Sequence, residues 1–126
     1  MRSLLALASL SGFLAVALGA FGAHTLRRKL EHAPDGARRL EWWQTGASYH
    51  LAHALAIGFA GLLAGQLGGM LPSVAAWAFF AGTLLFSGSL YVMCLTGIRA
   101  LGAVTPLGGL CLLGGWGCAF WAALQG

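Results

Sequence analysis

The pattern of apolar and charged positions divides the chain into three long uncharged runs. These runs cover residues 3–26, 42–98 and 100–126, and a short charged segment separates the first two. A helix needs about 20 apolar residues to cross a bilayer core of about 30 Å. The first and last runs fit one crossing each, and the middle run fits two. The pattern therefore predicts four transmembrane helices.

The sequence predicts an all-α membrane protein, with residues 1–126 forming a single domain of four antiparallel transmembrane helices. The connecting loops are short, and short loops make successive helices antiparallel neighbours. Pro34-Asp35-Gly36 breaks the charged segment, which predicts a short amphipathic interfacial helix between the first and second spans. The predicted spans cover residues 3–23, 46–67, 74–95 and 103–124.

Residues 1–23 also have features of a secretory signal, with Arg2 ahead of an apolar run. The run is longer than the roughly 7–15 residues of a usual signal core. We therefore interpret this segment as the first span.

Composition excludes a water-soluble domain. Hydrophobic residues make up 59% of the chain and charged residues 8%, and a chain of this length cannot bury so much apolar surface by itself. The net charge of +4 comes almost wholly from one loop, which favours contact with membrane lipid over nucleic acid. Three cysteines lie inside apolar runs, as expected of small packing residues.

The distribution of basic residues predicts an orientation. The first and third loops carry nearly all Lys and Arg residues, whereas the opposite side carries Arg2 alone. The positive-inside rule then predicts an inner (plasma) membrane protein with the basic loops in the cytoplasm and both termini outside. The predicted contacts with lipid headgroups are Arg27, Arg28, Lys29, Arg38, Arg39, Trp42, Trp43 and Arg99.

Polar side chains collect at the ends of the predicted spans that adjoin the basic loops. Because intramembrane polar groups favour a functional interpretation, they predict a pocket for a small ligand, a lipid headgroup or a proton. The predicted pocket residues are His24, Tyr49, His50, His53, Ser87, Ser89, Tyr91, Thr96 and Thr105.

The histidines allow three interpretations. His50 and His53 are spaced i, i+3 and share one helix face. In the first, they bind a ligand or transfer a proton. In the second, they form hydrogen bonds that hold the helices together. In the third, they bind a metal or haem together with His24. No span contains Asp or Glu, which disfavours a zinc site and a catalytic triad. We therefore expect no cofactor and no enzymatic activity.

Glycines inside the spans predict close helix packing, because small residues let helix backbones approach each other. Such faces also suggest an alternative function, a structural or interaction subunit that forms a homo-oligomer or joins a larger membrane complex. The glycines predicted to pack are Gly12, Gly19, Gly61, Gly65, Gly88, Gly108 and Gly115.

Four ordered motifs cover nearly the whole chain. They are residues 19–24 (GAFGAH), Tyr49 with residues 53–56 (HALA), residues 86–91 (FSGSLY), and residues 105–109 (TPLGG) followed by Gly115-Trp116. They resemble the YgdD-like small membrane proteins, domain of unknown function 423, which include animal transmembrane protein 256. The resemblance implies a four-helix inner-membrane protein in bacteria, without an assigned function, and histidines at the positions of His24 and His53.

Overall fold

Four long helices make up the computed structural model, which describes residues 1–126. Helix α1 spans Arg2–Leu30, α2 spans Gly36–Leu67, α3 spans Leu71–Thr96 and α4 spans Thr105–Gln125, preceded by a 3-10 turn at Arg99–Ala103. There is no strand. Each helix is long and apolar enough to cross a membrane, which confirms the all-α, four-helix prediction.

The first hairpin differs from the prediction. α1 is α-helical over Arg2–Phe21, widens to a π-helix over Gly22–Leu26 and ends at Leu30. Gly36 then packs so closely on the Leu30 carbonyl that a Cβ at this position would overlap it. The separate interfacial helix is not confirmed, because α2 runs unbroken from Gly36. Residues 37–67 contain no proline to interrupt it.

The other two connections rely on glycines with positive φ. Gly68 and Gly69 have φ of 69° and 75° in the turn between α2 and α3, a conformation that only glycine adopts without strain. Gly97 has φ of 73° and its N–H donates to the Met93 carbonyl at 2.7 Å, which ends α3 in the usual left-handed cap.

Each helix packs mainly on its neighbour in sequence. α2 packs on α1 and α3, and α3 packs on α4, whereas α1 lies apart from α4. The centre of the core is fully buried and contains Ile57, Ala60, Ala75, Ala76 and Phe79. Two of the side-facing clefts between the helices are lined by histidines. The α1–α3 cleft lies over α2 beside Ser11, His50 and Tyr91, and the α2–α4 cleft lies beside Tyr49, His53 and Trp116.

Most of the predicted packing glycines lie at helix crossings. A Cβ at Gly61, Gly65, Gly108 or Gly115 would press on a neighbouring helix, and one at Gly12 would touch Ala54. Gly19 and Gly88 have no neighbour within 4 Å inside the single chain, so neither lies at a helix crossing of this bundle. Three further close approaches, which sequence reasoning missed, are at Gly22, Gly46 and Gly82.

Candidate functional site

A hydrogen-bonded chain of side chains from three helices lies at the floor of the α1–α3 cleft. His50 of α2 bonds through Nδ1 to the Tyr91 hydroxyl of α3 at 3.0 Å and through Nε2 to the Ser11 hydroxyl of α1 at 3.1 Å. Ser11 and His50 are buried. The Ser11 and Tyr91 hydroxyls can each both donate and accept a hydrogen bond, so this group of three side chains can still bond to a further group.

The walls of the α1–α3 cleft are apolar. Leu10 and Leu14 of α1 face Phe80 and Leu84 of α3 across a cavity of about 250 Å³. Leu10 and Leu84 are more than half exposed. In a membrane the cleft would therefore open towards the lipid chains.

His53 belongs to a different cluster. Its Nε2 accepts a hydrogen bond from Trp116 Nε1 of α4 at 3.2 Å, and its Nδ1 lies 2.9 Å from the Tyr49 carbonyl. An indole N–H only donates and a carbonyl only accepts. The proton of a neutral His53 must therefore sit on Nδ1, and both ring nitrogens are engaged.

The predicted pocket residues do not converge on one cavity. Ser87 lines the α1–α3 cleft with His50 and Tyr91, and its hydroxyl donates to the Gly46 carbonyl at 2.7 Å. Ser89 bonds instead to Thr105 at 2.6 Å between α3 and α4. Thr96 donates to the carbonyl one turn earlier in α3. His24 lies on the exposed side of α1 beside Arg27 and Arg28.

The two histidines that bond to other helices lie far from both ends of α2. α2 begins at Gly36 rather than at residue 46. At about 1.5 Å of rise per residue, His50 lies about 21 Å and His53 about 25 Å along a helix of about 48 Å. Both sites are therefore near the middle of α2.

The structure shows no arrangement of side chains that supports the metal and haem interpretation. The structure contains no cluster of three His, Cys, Asp or Glu residues suited to a metal ion. The haem interpretation used His24 and His53, but His24 is exposed and the His53 Nε2 is bonded to Trp116. The structure does not bring these two histidines together.

Two residues predicted to contact lipid headgroups have internal roles instead. Trp43 is 3% exposed, donates to the Leu18 carbonyl at 2.7 Å and packs on Tyr91 at a ring distance of 4.5 Å. Arg39 donates to the Cys94 and Leu95 carbonyls at 2.6 and 3.1 Å, which satisfies the end of α3. Trp42 is half-buried. The exposed members of the predicted set are Arg27, Arg28, Lys29, Arg38 and Arg99.

Sequence reasoning missed Ser11 and Trp116. Ser11 lies in the middle of the first predicted span, away from the span ends where the polar residues collect, and Trp116 was noted only as part of a motif. The available signal for Ser11 was its neighbour Gly12, which approaches Ala54 one turn beyond His50. Using that signal requires the register of α1 on α2, which the pattern of apolar residues does not fix.

Four helices that are long and apolar enough to cross a membrane define a small polytopic membrane protein. The chain belongs to the family described as "Protein of unknown function (DUF423)", whose model matches residues 18–109. It is 44% identical over 117 residues to the UPF0382 membrane protein YwdK of Bacillus subtilis (strain 168), covering 92% of this chain and 91% of the relative. It is 38% identical over 130 residues to the UPF0382 inner membrane protein YgdD of Escherichia coli (strain K12), covering 98% and 91%. No solved structure matches the chain.

Proposed function

We propose that this protein binds a small neutral amphiphile, an apolar chain with a hydroxyl head, in the α1–α3 cleft. The observation that carries the proposal is the Ser11–His50–Tyr91 chain, where three helices contribute polar groups to one side of an apolar cleft. The hydroxyl head would bond to Tyr91 or Ser11, and the apolar chain would lie along the leucines. No charged residue lines the cleft, which favours an uncharged head group.

We further propose that the protein is not an enzyme. A serine oxygen 3.1 Å from a histidine nitrogen has the spacing of a nucleophile and its base. An acyl-transfer site also needs free donors for the developing oxyanion. Ser11 and His50 lie inside continuous helices, where the backbone N–H groups bond to carbonyls of the preceding turn. This supports binding without catalysis.

Fluorine NMR tests the binding proposal, because the chain contains only two tyrosines. With 3-fluorotyrosine incorporated into protein in lipid nanodiscs, Tyr91 and Tyr49 give one resonance each, assigned with Tyr91→Phe and Tyr49→Phe. We expect dodecanol to shift the Tyr91 resonance saturably and dodecane to leave it unchanged. Tyr49 lines the other cleft, so its resonance reports any dodecanol that binds outside the α1–α3 cleft.

Equal responses to dodecanol and dodecane, or no response at Tyr91, would reject the ligand proposal.

The second candidate function, docking to another helix, is favoured by the open face at Gly88. It predicts disulfide-linked dimers or adducts when Gly88→Cys protein is oxidised in native membranes. Gly108→Cys is an unsuitable comparison because position 108 is packed, so Gly114→Cys on the far helix serves as the control.

We also propose an inner-membrane location with the basic loops in the cytoplasm. The exposed arginines at the adjoining ends of α1 and α2, together with Arg99 between α3 and α4, support this orientation. We expect an alkaline phosphatase fusion at the carboxyl terminus to be active and a green fluorescent protein fusion there to be dark. The same reporters inserted after Pro34 should give the opposite pair of results, and a bright carboxyl-terminal fluorescent fusion would invert the assignment.

A further inference from the structure

We infer that the α2–α4 cleft is a second binding site, which takes a neutral lipophilic ring bearing a carbonyl oxygen, such as a quinone ring. The cleft has a volume of about 560 Å³, within the range of about 300–1,000 Å³ common for small-molecule sites. It is separate from the Ser11–His50–Tyr91 chain and shares no lining residue with the α1–α3 cleft. The inference therefore stands independently of the proposed function.

The polar groups of this cleft reduce to a single free donor. His53 uses Nε2 for Trp116 and Nδ1 for the Tyr49 carbonyl, so neither ring nitrogen is open to a ligand. The Trp116 N–H is likewise consumed. The free donor is the hydroxyl of Tyr49, a residue that lines the cleft and is 46% exposed.

The aromatic ring of Tyr49 packs against two neighbouring rings. The ring stacks on His53 at 5.9 Å with an interplanar angle of 8°, and it packs on Phe86 at 4.4 Å. No side chain or carbonyl of the protein accepts a bond from this hydroxyl. Inside a membrane an unpaired hydroxyl is costly because lipid chains offer no partner. A ligand oxygen would remove that cost.

The walls of the cleft favour a ligand that is apolar and planar apart from its carbonyl oxygen. Phe86 and Trp116 present aromatic surfaces, Leu110 and Leu113 add aliphatic ones, and no lining residue is charged. Trp116 is fixed between His53 and Phe79, whose ring centroid lies 4.9 Å away. A planar ring packs well against such rigid aromatic surfaces. An acyl chain would fill the same space but leave the hydroxyl of Tyr49 unpaired, so a ring carbonyl suits the cleft better.

Fluorine NMR again provides the test, with 3-fluorotyrosine protein in nanodiscs and decyl-benzoquinone as the probe. We expect the Tyr49 resonance to shift saturably, since its fluorine lies beside the hydroxyl that bonds the carbonyl, and the Tyr91 resonance to stay in place. Decylbenzene, which lacks the carbonyl, should bind about fivefold to tenfold more weakly, the usual value of one hydrogen bond.

Three results would overturn the inference. They are an unmoved Tyr49 resonance, equal dissociation constants for decyl-benzoquinone and decylbenzene, and equal shifts at both tyrosines. The last result would indicate partition into the lipid. The dodecanol experiment reads the Tyr91 resonance instead, so failure at one cleft is distinguishable from failure at the other.

Discussion

Replacing Gly108 with alanine is expected to lower the free energy of unfolding by about 3 kcal/mol, at the upper end of typical overpacking costs. A Cβ at position 108 would lie only 2.8 Å from the Phe86 Cα. The obstacle is backbone of α3, which cannot rotate away as a side chain would. The two helices must therefore separate, which loosens the α3–α4 contact. SDS titration in mixed micelles measures the effect.

Gly114 provides the matched control on the same helix. It has no neighbour within 4 Å, so Gly114→Ala should leave stability unchanged or raise it by up to about 1 kcal/mol through better helix propensity. Equal stability of Gly108→Ala and Gly114→Ala proteins would mean that α3 and α4 do not cross as described.

Replacing Trp43 with alanine is expected to cost about 3–5 kcal/mol of unfolding free energy, as for other buried tryptophans. The indole fills the junction of α1, α2 and α3, where it packs on Tyr91 and Phe21 and bonds to the Leu18 carbonyl. Its loss removes packing that lipid chains cannot replace. The same SDS titration reports the change.

Trp77 is the comparison for this prediction, because it is 56% exposed on α3. Trp77→Ala should change the unfolding free energy by less than about 1 kcal/mol, as for surface positions without special contacts. A Trp43→Ala protein as stable as Trp77→Ala would place residue 43 at the lipid surface, as the sequence alone suggested.

The helices were predictable because long uncharged runs report membrane crossing directly. The start of α2 was not, because the charges at Arg38, Arg39 and Glu41 resemble a surface segment. The structure places Arg39 against the carbonyls that end α3, a tertiary contact that converts a charged segment into the first turns of a spanning helix. Such a contact leaves no periodic signal in the sequence.

The candidate site was predictable only as a set of residue types. Spacing places His50 and His53 on neighbouring positions of one face, yet the residues open onto different clefts because α1 packs beside His50 and α4 beside His53. Which helix lies next to each histidine depends on the lateral order of the helices. The sequence pattern does not indicate that order, so it could not show that the two histidines belong to separate sites.

The row-like packing has a consequence for how the protein is made. Each helix finds most of its partners in its direct neighbours in sequence, so hairpins are completed in the order in which they leave the ribosome. Contacts close in sequence favour rapid folding. The main contact that skips a helix, from His53 to Trp116, waits for α4. The α2–α4 cleft is therefore the last part of the molecule to take shape during biosynthesis.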